Sequence, residues 1–142
     1  MSDGVVIFGL DGVLADQSRR RPTGKETHWR QRWPQDVLAE EKPIQYMAKL
    51  ARQLSEENRI IIVSERPMAI MEVSNEWLRS KCGITPETII MQQTLDMRPS
   101  AESKIEAIQE ALGLYGSDAW LLVDNDPEVV HKFTSMQGLL VG

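Results

Sequence analysis

The chain has 142 residues, with 21 acidic and 16 basic side chains, a formal net charge of −5 and 42% hydrophobic residues. That is one globular domain's worth of apolar material: wholesale disorder is excluded, and the acidic balance argues against indiscriminate coating of nucleic acid. The longest run without a charge, 133–142, is ten residues, far short of a bilayer-spanning helix, and the single Cys82 excludes an internal disulfide or a thiolate metal cage. Residues 1–5 lack the basic stretch and cleavage pattern of a secretory signal, so the expected compartment is the cytoplasm, with no membrane contact.

In chain order, Val5-Val6-Ile7-Phe8 is a short apolar run closed by Gly9 and reads as a buried strand. Pro43 suits the first position of a helix in which Ile44, Met47, Leu50, Ala51 and Leu54 recur at three- and four-residue steps. A second strand is expected at Ile60–Val63. A helix follows over Met68–Lys81, with Met71, Ser74, Trp77 and Leu78 on one face, ending near Gly83 and Pro86. Strands at Thr88–Met91, Trp120–Val123 and Leu139–Val141 complete the set. Between them lie a helix opened by Ser100 and Ser103, with a stripe of Ile105, Ile108, Ala111 and Leu112 ending before Gly113, and another started by Pro127, with Val129, Val130 and Phe133 inward. Strands alternating with helices predict an α/β three-layer sandwich with a mostly parallel sheet of about five strands. Residues 1–142 form one domain on this reading. The segment 10–42 is too long for an ordinary strand-to-helix loop, and 17–42 is expected as a cap-like insertion over the active edge.

Right-handed crossovers bring the loops after parallel strands to one carboxyl edge, where open α/β sheets bind ligands. Gly9-Leu10-Asp11-Gly12-Val13-Leu14-Ala15-Asp16 follows the first strand, Ser64-Glu65-Arg66 the second, and Asp124-Asn125-Asp126-Pro127 the fourth, with Lys104 near the start of the third helix. Carboxylates converging there suit Mg²⁺, and Ser64 and Lys104 suit phosphoryl oxygens. Taken singly these residues are ordinary: Asp11-Gly12 is a turn dipeptide, Lys104 a helix-face lysine, Asp124 and Asp126 caps for the helix at Pro127. Only the ordered set points to chemistry.

That set resembles the haloacid dehalogenase superfamily, with its Rossmannoid sheet, and within it the phosphatase domain of phage-type polynucleotide kinases. The narrower resemblance rests on Val63-Ser64-Glu65-Arg66, Trp77-Leu78-Arg79, Gly83-Ile84 and Ile90-Met91-Gln92. It covers nearly the whole chain. It implies phosphomonoester hydrolysis through an Asp-x-Asp-Gly motif, in which the first Asp attacks phosphorus and the second serves as acid and base. By that resemblance Asp11 is the acid/base, Ser64, Glu65, Arg66 and Lys104 bind phosphate, and Asp11, Asp124, Asn125 and Asp126 hold Mg²⁺.

The nucleophile's position is Gly9. Glycine offers no attacking oxygen and removes one carboxylate from the metal set, which weakens Mg²⁺ binding. Losing such a group can cost on the order of 10⁶ in rate. The chain is expected to be a poor or inactive phosphatase. Three explanations stand open: a natural pseudo-phosphatase that keeps its phosphate pocket, an inactivated variant of a working enzyme, or an active phosphomonoesterase using another attacking group.

The insertion adds a second signal. Between Gln17 and Trp33 lie six basic residues, Arg19, Arg20, Arg21, Lys25, Arg30 and Arg32, against the single acid Glu26, with Trp29 and Trp33 interleaved. Arginines with aromatics suit a phosphorylated nucleotide or a nucleic-acid end, and His28 is a further phosphate contact on that reading. A solvated charge run whose tryptophans pack onto the sheet's edge, or a scaffold surface for an acidic protein partner, explains the same residues equally well. No Gly-x-x-x-x-Gly-Lys-Ser/Thr motif is present, so phosphorylation in the P-loop manner is excluded. Cys82 reads as a small buried hydrophobe.

Overall fold

In the computed structural model, described for residues 4–18, 28–92 and 100–142, five parallel strands form one sheet in the order β3-β2-β1-β4-β5. The strands are β1 (Gly4–Gly9), β2 (Asn58–Pro67), β3 (Thr88–Gln92), β4 (Ala119–Asp124) and β5 (Gln137–Leu140). The helices are α1 (Trp29–Arg32), α2 (Gln35–Glu40), α3 (Gln45–Ser55), α4 (Met71–Trp77), α5 (Ser100–Tyr115) and α6 (Pro127–Lys132). Among the described residues no helix is long and apolar enough to cross a membrane.

Side chains alternate across a strand, so each central strand feeds two cores. Val6, Phe8, Ile60 and Ile62 face one layer, where they pack with Met47, Ala48 and Ala51 of α3 and with Trp77 and Leu78. Val5, Ile7, Ile61, Val63 and Leu122 face the other, against Ala107, Ile108 and Ala111 of α5 and Val129 of α6. Phe8, Ile61, Ile62 and Leu122 are fully buried, each contributing roughly 1.5–3 kcal/mol by leaving water. Helices therefore cover both faces, and the three-layer expectation holds.

Three local features differ from the sequence-based expectation. β2 runs on to Pro67, so Ser64, Glu65 and Arg66 lie within the strand and not in a loop after it. Its pairing with β3 shifts register between Val63 and Pro67. The helix after β2 widens into a π-helical turn over Leu78–Cys82 before Gly83 ends it. The helix with the Ile105/Ile108 stripe continues through Gly113 to Tyr115.

The chain between β1 and α3 closes on itself. The Asp16 amide donates to Lys42 O at 2.9 Å, and that of Ile44 to Leu14 O at 2.8 Å. Within it, α2 is seated by a third small cluster in which Trp33 and Leu38 meet Ile70, with Val73 and Met91 alongside.

Candidate functional site

Strand parity builds the site. On β2, Ser64 and Arg66 point to the α3/α4 face with Ile62, whereas Glu65 points to the α5 face with Val63. On β1, Gly9 shares the α5 face with Val5 and Ile7; on β4, Asp124 shares it with Leu122. The carboxyl edge is thereby divided into two ionic clusters, one on each face.

On the α4 face, Arg66 is 1% exposed and holds Asp11 bidentately, Nε to Oδ2 at 3.0 Å and Nη2 to Oδ1 at 2.6 Å. Its Nη1 donates to Ser74 Oγ at 2.9 Å, and Glu41 Oε1 lies 3.6 Å from Nη2. The guanidinium also sits 5.9 Å from the centroid of the Trp33 ring. Planar, charge-assisted forks of this kind are the strong class of hydrogen bond. Ser64 Oγ, fully buried, accepts from the Arg66 amide at 3.0 Å, turning the strand end inward. Nothing in the sequence marked Glu41. Ser74 did carry a signal, being the hydroxyl on an otherwise apolar helix face.

On the α5 face, Lys104 reaches the sheet from the fifth position of α5 and is 3% exposed. Its Nζ lies 3.3 Å from Asp124 Oδ1, 3.4 Å from Asp124 Oδ2, 3.1 Å from Asn125 Oδ1 and 4.0 Å from Glu65 Oε2. Burial works against the ammonium, but the carboxylates of Glu65, Asp124 and Asp11 outweigh it and hold the Lys104 pKa above its ordinary value. Asp124, fully buried, faces this one ammonium and is repelled by Asp126; desolvation dominates and its pKa is raised. Asp124 Oδ2 accepts from the Asp126 amide at 3.1 Å, whereas Oδ1 accepts no hydrogen bond from the described residues.

Two glycines set the distance between the loops. At Gly9 an added Cβ would land on Asp124 Oδ1, with Val13 Cγ2 at 3.1 Å on the other side. The volume in which a nucleophilic aspartate would start is already filled by Asp124. Gly12 has φ +79°, a left-handed turn conformation open to glycine, and a Cβ there would strike Asn125 Nδ2.

The expected Mg²⁺ site does not fit these residues. Both oxygens of Asp11 are engaged by Arg66, Asp124 is paired with Lys104, and Asp126 Oδ1 caps α6 by accepting from the Glu128 amide at 2.9 Å. Asn125 is turned to Lys104. Among the described residues no group of three or more His, Cys, Asp or Glu side chains could hold a metal ion. Magnesium demands near-ideal octahedral oxygen coordination, which this arrangement does not offer. In this structure the expected metal set of Asp11, Asp124, Asn125 and Asp126 meets cations and backbone amides of the chain itself.

The insertion divides in the same way. Arg19, Arg20, Arg21 and Lys25 lie outside the described residues, as does the side chain of Trp29. His28 is exposed and its Nδ1 accepts from the Arg30 amide at 3.1 Å, which makes it a cap for α1. Arg30 is exposed, and Arg32 is half-buried with its guanidinium 5.8 Å from the Trp33 ring centroid. Trp33, for which stacking on a base and packing against the fold were both open, is 6% exposed and packs in the cluster under α2, its ring bridging Arg66 and Ile70. Cys82 is buried as expected, and desolvation pushes its thiol up to about 12.

No protein-family model matches the chain, and no curated protein does. Solved structures do. A chain of the Pnkp1/Rnl/Hen1 RNA repair complex superposes with TM-score 0.77 at 21% identity over 99% of this chain. A haloacid dehalogenase-like hydrolase from Streptococcus pneumoniae gives 0.68 at 13% identity over 97% of this chain and 84% of its own. The fold is haloacid dehalogenase-like. A phospho-aspartyl intermediate analogue of phosphoserine phosphatase follows at 0.57 and 10% identity, covering 99% of this chain and 87% of that one. The chain spans under half the length of the repair-complex protein, 42% and 46% in two structures of it.

Proposed function

We propose that this is a phosphatase-fold protein that binds a phosphorylated nucleotide or a nucleic-acid end and turns it over poorly or not at all. The observation that carries this reading is Gly9: the strand end that would present an attacking carboxylate presents none, and Asp124 fills the space. The buried Asp11–Arg66 fork supports it further, since the guanidinium engages both oxygens of the carboxylate that the resemblance assigns as acid and base. The class of ligand is supported by the likeness to a chain of an RNA repair complex, and by the basic residues Arg30 and Arg32 on α1.

Binding would have to draw on Ser64, Glu65, Arg66 and Lys104 as they are now paired. A phosphoryl group would compete with Asp124 for the Lys104 ammonium, so modest affinity is expected from this pocket, with the insertion supplying the rest through phosphate contacts.

The test compares a 3′-phosphorylated oligonucleotide with its 3′-hydroxyl twin by fluorescence anisotropy, and assays phosphate release from the first and from a nucleoside monophosphate panel. Tighter binding of the phosphorylated form without release is expected. Equal binding of the two, or none, would remove the end-recognition reading and leave a protein-interaction scaffold. Turnover by the unaltered chain would instead mean an active phosphomonoesterase with another attacking group.

A further inference from the structure

We infer that the Lys104 ammonium is the resident cation of this site, taking the role of a divalent metal in holding Asp124, Asn125 and Glu65 together, so that the fold and any ligand binding are independent of Mg²⁺. Three observations meet here. The first is the donor set: the Nζ lies within 3.4 Å of both Asp124 oxygens and of Asn125 Oδ1, and 4.0 Å from Glu65 Oε2. Oxygens from β2, β4 and the turn after β4 surround one positive charge. A cationic centre drawn from three chain segments is how a bound ion organises a site.

The second is the charge count. Among the described residues, Asp124 and Glu65 place two carboxylates within 4.0 Å of one ammonium. An aspartate at position 9, on the same face of the sheet, would make three. Glycine there lowers the positive charge the site needs, and it leaves room for Asp124 to lean across onto Lys104; an added Cβ would block that pose. The third is incompleteness. Asp124 Oδ1 is fully enclosed, yet it accepts no hydrogen bond from the ammonium beside it. An ammonium is a point charge with three donors and cannot saturate an oxygen cage as a six-coordinate ion does. The site keeps the shape of a cation site while being filled by a side chain.

The inference rests on this geometry and not on any phosphorylated ligand, and its test uses metal alone, so either reading can fail without the other. Thermal unfolding of the full chain is followed in EDTA and in millimolar MgCl₂, alongside Lys104→Met and Lys104→Gln. The unaltered chain is expected to unfold at the same temperature in both. Each variant is expected to gain several degrees in MgCl₂, about what a ligand in tenfold excess over its dissociation constant supplies to a domain of this size. A wild-type midpoint that rises with Mg²⁺ as much as the variants' overturns the inference. So does a folded variant with no response to Mg²⁺, since removing the lysine would then have exposed no cation site. Should both variants be unfolded in EDTA, recovery of structure on adding MgCl₂ supports the inference, and failure to recover overturns it.

Discussion

The two ionic clusters at the carboxyl edge hold one cation each, and they are built to different standards. Arg66 is gripped by a bidentate carboxylate, a hydroxyl and a second carboxylate, with bonds of 2.6–3.0 Å to Asp11 and Ser74. Lys104 floats among oxygens at 3.1–4.0 Å, and one of them, Asp124 Oδ1, lacks a hydrogen bond from the described residues. A planar fork fixes direction as well as charge; an ammonium's three rotatable donors fix direction far less. The difference marks the Arg66 side as a finished lock that ties the turn after β1 and the end of the insertion to β2 and α4. It marks the Lys104 side as an exchangeable filling.

The largest expected effect tests the lock. Arg66→Met leaves Asp11 and Glu41 buried beside an apolar side chain, and breaking a buried pair in this way costs about 3–5 kcal/mol. Urea unfolding of Arg66→Met beside Lys104→Met measures the contrast directly, with the lysine variant expected to lose clearly less. Equal losses would erase the distinction between the two clusters.

A smaller effect is expected at Gly9, beside the Lys104 cluster. Gly9→Ala adds a Cβ on top of Asp124 Oδ1, and overpacking of this kind costs about 1–3 kcal/mol. Combining it with Asp124→Ala removes the obstructing carboxylate, so the double variant should be more stable than the sum of the two single losses predicts. Additive losses from the same urea titrations would mean that Asp124 does not lean into the space above Gly9.

Much of this arrangement is legible in the amino-acid order. The apolar runs at Val5–Phe8 and Trp120–Val123 sit at the sheet's centre as their composition requires, and Asp11, Lys104 and Asp124 do gather at one edge. What escaped is how they divide. Treating β2 as ended at Val63 hid the alternation that sends Arg66 to one face and Glu65 to the other; the strand persists because Arg66 is anchored at its tip by Asp11 and Ser74. Glu41 was invisible because its partner lies 25 positions away and neither neighbour marks it. For Trp33 the basic run left stacking and packing equally open, and a short segment that must seat α2 against α4 spends the large ring on packing. Composition identifies a charged run; it does not say which of its aromatics the core will claim.

The smallest expected effect separates capping from coordination. Asp126 stands on the Lys104 side and was grouped with Asp124 as a metal ligand, yet its Oδ1 serves the Glu128 amide at the start of the six-residue α6. A negative side chain at a helix start is stabilising whether or not any cation is near. Asp126→Ala should therefore cost about 1 kcal/mol, the usual loss of an N-cap, and Asp126→Asn, which keeps the accepting oxygen, much less. Neither substitution should alter the response to MgCl₂ in the unaltered or the Lys104→Met background. If Asp126→Asn abolished the Mg²⁺ gain of Lys104→Met, the carboxylate would be a ligand after all, and the cation site would extend beyond Asp124, Asn125 and Glu65 into the first turn of α6.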